Sequence, residues 1–152
     1  MNPYASFLGD RDPKAVLAST TSELRTALHK IPNPEARPGP GKWTAKQILS
    51  HLADCEIVFA FRLRQTLAET NHVIQPFDQD NWAQRYAAYN AEEALGLFAV
   101  TRHWNLSLLK HATPQDLAKS VTHPERGAMT FQTIVETMAG HDVNHLRQLQ
   151  SL

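Results

Sequence analysis

Only one cysteine, Cys55, occurs among the 152 residues, which excludes an internal disulfide framework and a zinc site built from several thiolates. A reducing cytoplasm is therefore the expected compartment. Neither charge is in excess: Lys plus Arg and Asp plus Glu both number 15, no block of like charge appears, and no basic half offers a face to phosphates. Nucleic acid is not an expected partner. No apolar run approaches the roughly 20 residues of a membrane helix, and Met1–Asp10 lacks a basic stretch followed by an apolar one, so neither an anchor nor a secretory signal is read. HExxH, GxSxG and phosphate-loop motifs are missing, and the one ExxH, Glu69 to His72, is half of what a carboxylate di-iron bundle requires. Present instead are the 42% hydrophobic residues of a packed globule and an unusual 8 histidines. The length predicts one domain over residues 1–152 with one core.

Apolar residues recur in steps of three and four along four stretches, which predicts helices and no strand. The first helix runs from about Pro13 to Ile31, with Asp12 as N-cap, Pro13 at the first helical position, and Leu17, Thr21, Leu24, Leu28 and Ile31 on one stripe. Prolines 32, 34, 38 and 40 then forbid continuation. The second opens on a capping box, Thr44 with Gln47, flanked by the hydrophobic-staple pair Trp43 and Ile48, and should reach about Glu69. Residues 71–89, with Phe77-Asp78-Gln79-Asp80-Asn81-Trp82, read as a long crossover containing a helical turn. A third helix starts at Asn90 and carries Leu95, Leu97, Phe98, Trp104 and Leu108 to about His111. A fourth is capped by Thr130. The expectation is an all-α four-helix bundle.

Along the fourth helix the inward stripe is Phe131, Ile134, Met138, His141, His145 and Gln148; along the second it is Ile48, His51, Cys55 and Val58. Three imidazoles thus occupy positions where a bundle wants hydrocarbon. Residues four apart share a helical face, so His141 and His145 can hold one ion at roughly 2.0–2.1 Å each. His51 lies about 10 Å from the start of its helix, and His145 and His141 about 10 and 16 Å from the end of theirs, so the three meet at one level only if helices two and four run antiparallel. That requires an up-down-down-up order, and a 19-residue link between helices two and three can span up to about 60 Å. Among the other histidines, His111 suits a helix C-terminus, His123 falls in a loop, and His29, His72 and His103 read as surface. Cys55 reads as a small buried hydrophobe, with fourth ligand as the alternative; Asp54 could orient an imidazole or be an ordinary solvated carboxylate. Arg62 reads as a snorkelling side chain far from the site, and Glu56 is turned some 140° from His51.

The segments Trp43-Thr44-Ala45-Lys46-Gln47-Ile48-Leu49-Ser50-His51-Leu52-Ala53-Asp54-Cys55-Glu56, Phe77-Asp78-Gln79-Asp80-Asn81-Trp82 and His141-Asp142-Val143-Asn144-His145-Leu146-Arg147-Gln148-Leu149 resemble the DinB/YfiT-like metalloenzyme family, over nearly the whole chain. The resemblance implies an up-down-down-up bundle, a homodimer, and metal ligands falling on His51, His141 and His145. It also implies either thiol-dependent S-transfer, using a low-molecular-weight thiol, or metal-dependent hydrolysis, and leans slightly to the former.

The expectation is a metal-dependent enzyme for a small-molecule substrate, with Zn first and Ni second as the divalent ion. No side chain stands out as general base, and no organic cofactor site is read. The alternatives from other classes are a non-catalytic metal-dependent ligand-binding protein and a structural dimer with a vestigial site.

Overall fold

A computed structural model describes residues 1–152. Seven α-helices appear: α1 Ala5–Leu8, α2 Pro13–Leu28, α3 Ala45–Ala68, α4 Gln79–Ala83, α5 Ala91–Lys110, α6 Pro114–Leu117 and α7 Phe131–Gln150. The four long ones are α2, α3, α5 and α7, and their starts follow local chemistry. Asp12 accepts from the Lys14 amide ahead of Pro13; the Thr44 and Gln47 side chains satisfy each other's backbone N–H groups; Asn90 accepts from the amides of Glu92 and Glu93; Thr130 accepts from the Thr133 amide. Each cap satisfies amides that have no partner inside the helix.

The core has two ends, and their composition fixes the helix directions. One end gathers Leu17, Phe59, Leu63, Leu109, Phe131 and Ile134. The other gathers Leu24, Leu28, Ile48, Leu49, Leu95, Phe98 and Leu149. The start of α2 therefore lies beside the start of α7 and the ends of α3 and α5, which is the up-down-down-up order. The crossover between α3 and α5 contains α4 and a 3₁₀ turn at Tyr86–Ala88, and it is pinned by fully buried Ile74 and Tyr86.

Strands do occur, contrary to the expectation of none. Ser120–His123 (β1) and Gly127–Thr130 (β2) pair antiparallel, Val121 opposite Met129, with both of those side chains buried. The crossover adds a parallel bridge from Val73 to Thr122. Gly127, at φ +74°, permits the tight return. Four residues give too few alternations to separate a strand from a loop in sequence. Two histidines expected in a loop or on the surface, His123 and His72, are buried where this hairpin meets the crossover. On α5 the inward stripe is Leu95, Phe98, Arg102, Asn105 and Leu109, whereas Leu97 and Trp104, expected inside, are exposed.

A candidate three-histidine metal centre

Between the two ends of the core lies a buried polar layer. His51 from α3 and His141 and His145 from α7 are 1%, 4% and 7% exposed, and one nitrogen of each lies within 4.8 Å of the other two. The Nε2 atoms of His51 and His141 are 3.0 Å apart. Three nitrogens placed tetrahedrally around an ion at 2.0–2.1 Å would be about 3.3 Å apart, so small side-chain rotations suffice to close the set. With the Gln148 carbonyl oxygen accepting from His145 Nδ1 at 2.9 Å, the proton of that ring is on Nδ1 and the Nε2 lone pair faces the centre. Gln148 lay on the inward stripe, but its part in orienting an imidazole could not be read from spacing. Asp54, for which an orienting part and an ordinary solvated carboxylate were both open, makes no hydrogen bond to the trio, and burial raises its pKa.

Aromatic rings enclose the trio. Trp43 meets His51 edge-on at 5.0 Å between ring centres and stacks over His145 at 6.3 Å. Tyr4 meets His141 edge-on at 5.2 Å. Tyr4 can approach only because residue 140 is glycine: a Cβ there would lie 2.5 Å from the Tyr4 carbonyl oxygen and 2.7 Å from its Cβ. Gly140→Ala should gain up to about 1 kcal/mol of helix propensity but force the N-terminal segment off α7, at an overpacking cost of about 1–3 kcal/mol. A lower urea midpoint at unchanged m-value is the expected result, and a midpoint at or above that of the wild type would show that Tyr4 does not need the glycine.

Cys55 Sγ lies 3.5 and 3.7 Å from the two nitrogens of His51, beside the ring. Burial, then the charges of the surrounding acidic groups, pushes the thiol pKa up, so it stays protonated. Its sulfur is not among the ligand atoms that converge, which are those of His51, His141 and His145, and this favours the small-hydrophobe reading over the ligand one.

Burial also dominates the imidazoles, holding His51 neutral down to about 3 and His145 to about 4, while His141 is lowered by burial and then by its two histidine neighbours. These pKa values lie below the 6.5 of an unfolded histidine, so the unfolded chain binds more protons between them. Stability without metal should be complete above about pH 6.5 and fall as pH drops toward 4, each group contributing up to about 1.4 kcal/mol per pH unit. Thermal melts of chelator-treated protein from pH 4 to 8 should show the fall, and His51→Ala should shallow it; an unchanged slope in that variant would assign the acid sensitivity to other groups.

Beside the trio lies a charged network that the sequence reading did not foresee. Arg102, 1% exposed, donates all five N–H groups. Nε and Nη2 reach Glu56 at 2.9 and 2.6 Å, Nη1 and Nη2 reach Asp142 at 2.6 and 3.2 Å, and Nη1 also reaches the Leu17 carbonyl at 3.2 Å. Asn105 donates to Glu56 at 2.7 Å and accepts from Arg64 at 2.7 Å. This ties all four long helices together one residue from Cys55 and one from His141. Two carboxylates share the one fully buried guanidinium. Glu56 is thus out of reach of the trio, as expected, but buried. The only available signal was that Arg102 and Asn105 fall on an apolar stripe.

Two cavities flank the trio. A cleft of about 460 Å³ is lined by Trp43, His145 and Gln148, among others, and a pocket of about 50 Å³ borders His141, Arg62 and Arg126. Arg62 is therefore not remote from the site: it is 9% exposed and shares a wall with His141.

The chain is thus an up-down-down-up helical bundle in which three buried imidazoles converge at one level. The chain belongs to the DinB superfamily, whose family model matches residues 17–149. A protein of Oceanobacillus iheyensis named "Putative metal-dependent hydrolase" is 36% identical over 115 residues, which are 74% of this chain and 66% of that protein. One of Bacillus mycoides with the same class name is 26% identical over 114 residues, 74% and 65% of the two chains. The match thus spans about two thirds of the length of these relatives. Among solved structures, YfiT from Bacillus subtilis, described as "a probable metal-dependent hydrolase with an unusual four-helix bundle topology", superposes with a TM-score of 0.84 at 21% identity, over 91% of this chain and 82% of YfiT. At that identity the likeness establishes the fold.

Proposed function

We propose that the protein is a metal-dependent hydrolase of a small-molecule substrate, with His51, His141 and His145 as the ligands of one divalent ion. The observation that carries this is the convergence of three buried imidazoles whose burial keeps them unprotonated, the state in which they ligate. Three histidines with no carboxylate suit Zn or Ni, Zn first on availability, and not Mg or Ca, which prefer oxygen. A divalent ion there supplies Lewis acidity, lowering the pKa of water and polarising a carbonyl or phosphoryl oxygen. The chain's own groups orient and exclude: Gln148 fixes His145, while Trp43 and Tyr4 cover the imidazoles and keep bulk water from them. Thiol-dependent S-transfer would use the same ligands, and no feature of the site favours it over hydrolysis.

The test is metal analysis of purified protein, followed by ester, amide and phosphoester panels with and without added thiol. Metal-dependent turnover without thiol supports the reading. Turnover that requires a low-molecular-weight thiol moves the assignment to S-transfer, and a metal-replete protein inactive in every panel moves it to the non-catalytic class. We also propose a homodimer in the cytoplasm. The large apolar residues Ile57 and Phe61 on α3 and Leu97, Val100 and Trp104 on α5 are 45–72% exposed on two neighbouring helices, a pattern that marks an interface; sedimentation equilibrium reads it directly. No helix is long and apolar enough to cross a membrane.

A further inference from the structure

Two buried arginines in this molecule are treated very differently. Arg102 has two carboxylates and every N–H satisfied. Arg62 is nearly as enclosed, yet it has no carboxylate partner: one Nη2–H donates to the Gln75 carbonyl at 3.2 Å, its guanidinium lies 5.9 Å from the Phe77 ring centre, and its Nε–H has no partner at all. A second cation, Arg126, stands beside it at the turn between β1 and β2, half-buried and likewise without an ion pair. The nearest acidic side chain on that turn, Glu125, is exposed and pairs with neither. Burial and then the Arg126 charge both disfavour the protonated form of Arg62. A buried charge without a counter-charge costs several kcal/mol, and placing a like charge beside it adds to the cost. Holding the Gln75 carbonyl does not explain that expense. A ligand that brings the missing negative charge does.

Both arginines wall the 50 Å³ pocket whose other sides include Tyr4, Phe59, Phe77 and His141. The pocket is small, half of its lining residues are apolar, and an arginine's planar fork matches a carboxylate. We infer that this pocket binds a carboxylate of the substrate, so that the protein acts on a small carboxylic acid whose reacting bond is presented to the histidine centre. The position of the reacting bond rests on the hydrolase reading above; carboxylate binding itself does not, because neither arginine is a metal ligand.

The experiment is therefore run on metal-free protein, with acetate, propionate and inorganic phosphate titrated against sodium chloride at constant ionic strength. Melting temperature and the ¹⁵N-edited signal of the Arg62 Nε–H are followed together. Acetate or propionate should raise the melting temperature above the chloride control and shift the Nε–H signal. Arg126→Gln should weaken the binding at least about tenfold, the equivalent of one charge-assisted hydrogen bond, and Arg62→Gln should abolish it. Where Arg62→Gln does not fold, Arg126→Gln and the wild-type Nε–H signal decide. No response beyond chloride, an unmoved Nε–H, equal binding by Arg126→Gln, or a response to phosphate in place of the carboxylates overturns the inference. Carboxylate binding that persists in His51→Ala supports it, even if every hydrolase panel is blank, and in that case only the hydrolase reading falls.

Discussion

His141→Ala should abolish tight metal binding while leaving the bundle folded. The three ring centres lie 4.4–5.1 Å apart, and without His141 two imidazoles from different helices remain. Loss of a group that merely orients a ligand costs about 10–100-fold in affinity, so loss of the ligand itself should exceed that range. His145→Ala should behave alike, and His51→Ala should retain weak binding through the i, i+4 pair on α7. The apo variants should be as stable as the wild type near neutral pH, or more so, because each removes a buried imidazole that gains little in the absence of metal. Isothermal titration beside circular dichroism melting measures both quantities. Equal affinity in all four proteins would exclude the trio as the ligand set, and variants unable to fold even with metal would make the residues structural.

The largest stability loss is expected at Arg102. Arg102→Met leaves Glu56 and Asp142 facing each other in a buried layer with no counter-charge, and breaking a pair of this kind costs about 3–5 kcal/mol. At about 2–4 °C per kcal/mol for a chain of this size, the melting temperature should fall by roughly 6–20 °C. The loss should shrink on acidification as the two orphaned carboxylates take up protons. The triple replacement Glu56→Leu, Arg102→Met, Asp142→Leu removes all three charges together and should recover much of the stability. A loss under about 1 kcal/mol in Arg102→Met would mean that the layer is better hydrated than its burial indicates.

Helices α2, α3, α5 and α7 were legible in the chain because helix starts, stops and apolar stripes are local properties. The capping box at Thr44 and Gln47, Pro13 behind Asp12, and steps of three and four place each of these helices to within a few residues. The same periodicity put His51, His141 and His145 on inward faces, and the rise per residue brought them to one depth once the crossover allowed helices two and four to oppose.

What could not be read was whatever depends on a partner far along the chain. A charge on an apolar stripe, such as Arg102, is as compatible with a snorkelling side chain as with a buried one until Glu56 and Asp142 arrive from two other helices. Leu97 and Trp104 are apolar residues on a helix and look like core until packing leaves them facing out. The hairpin of β1 and β2 rests on cross-strand pairing with almost no periodic signal. Gly140 shows nothing of Tyr4, more than 130 residues away in the chain. Arg62 and Arg126 become one cavity wall only when the hairpin folds onto α3. Local order follows from neighbours three and four residues apart, whereas the satisfaction of buried charge follows from contacts that only the folded chain can bring together.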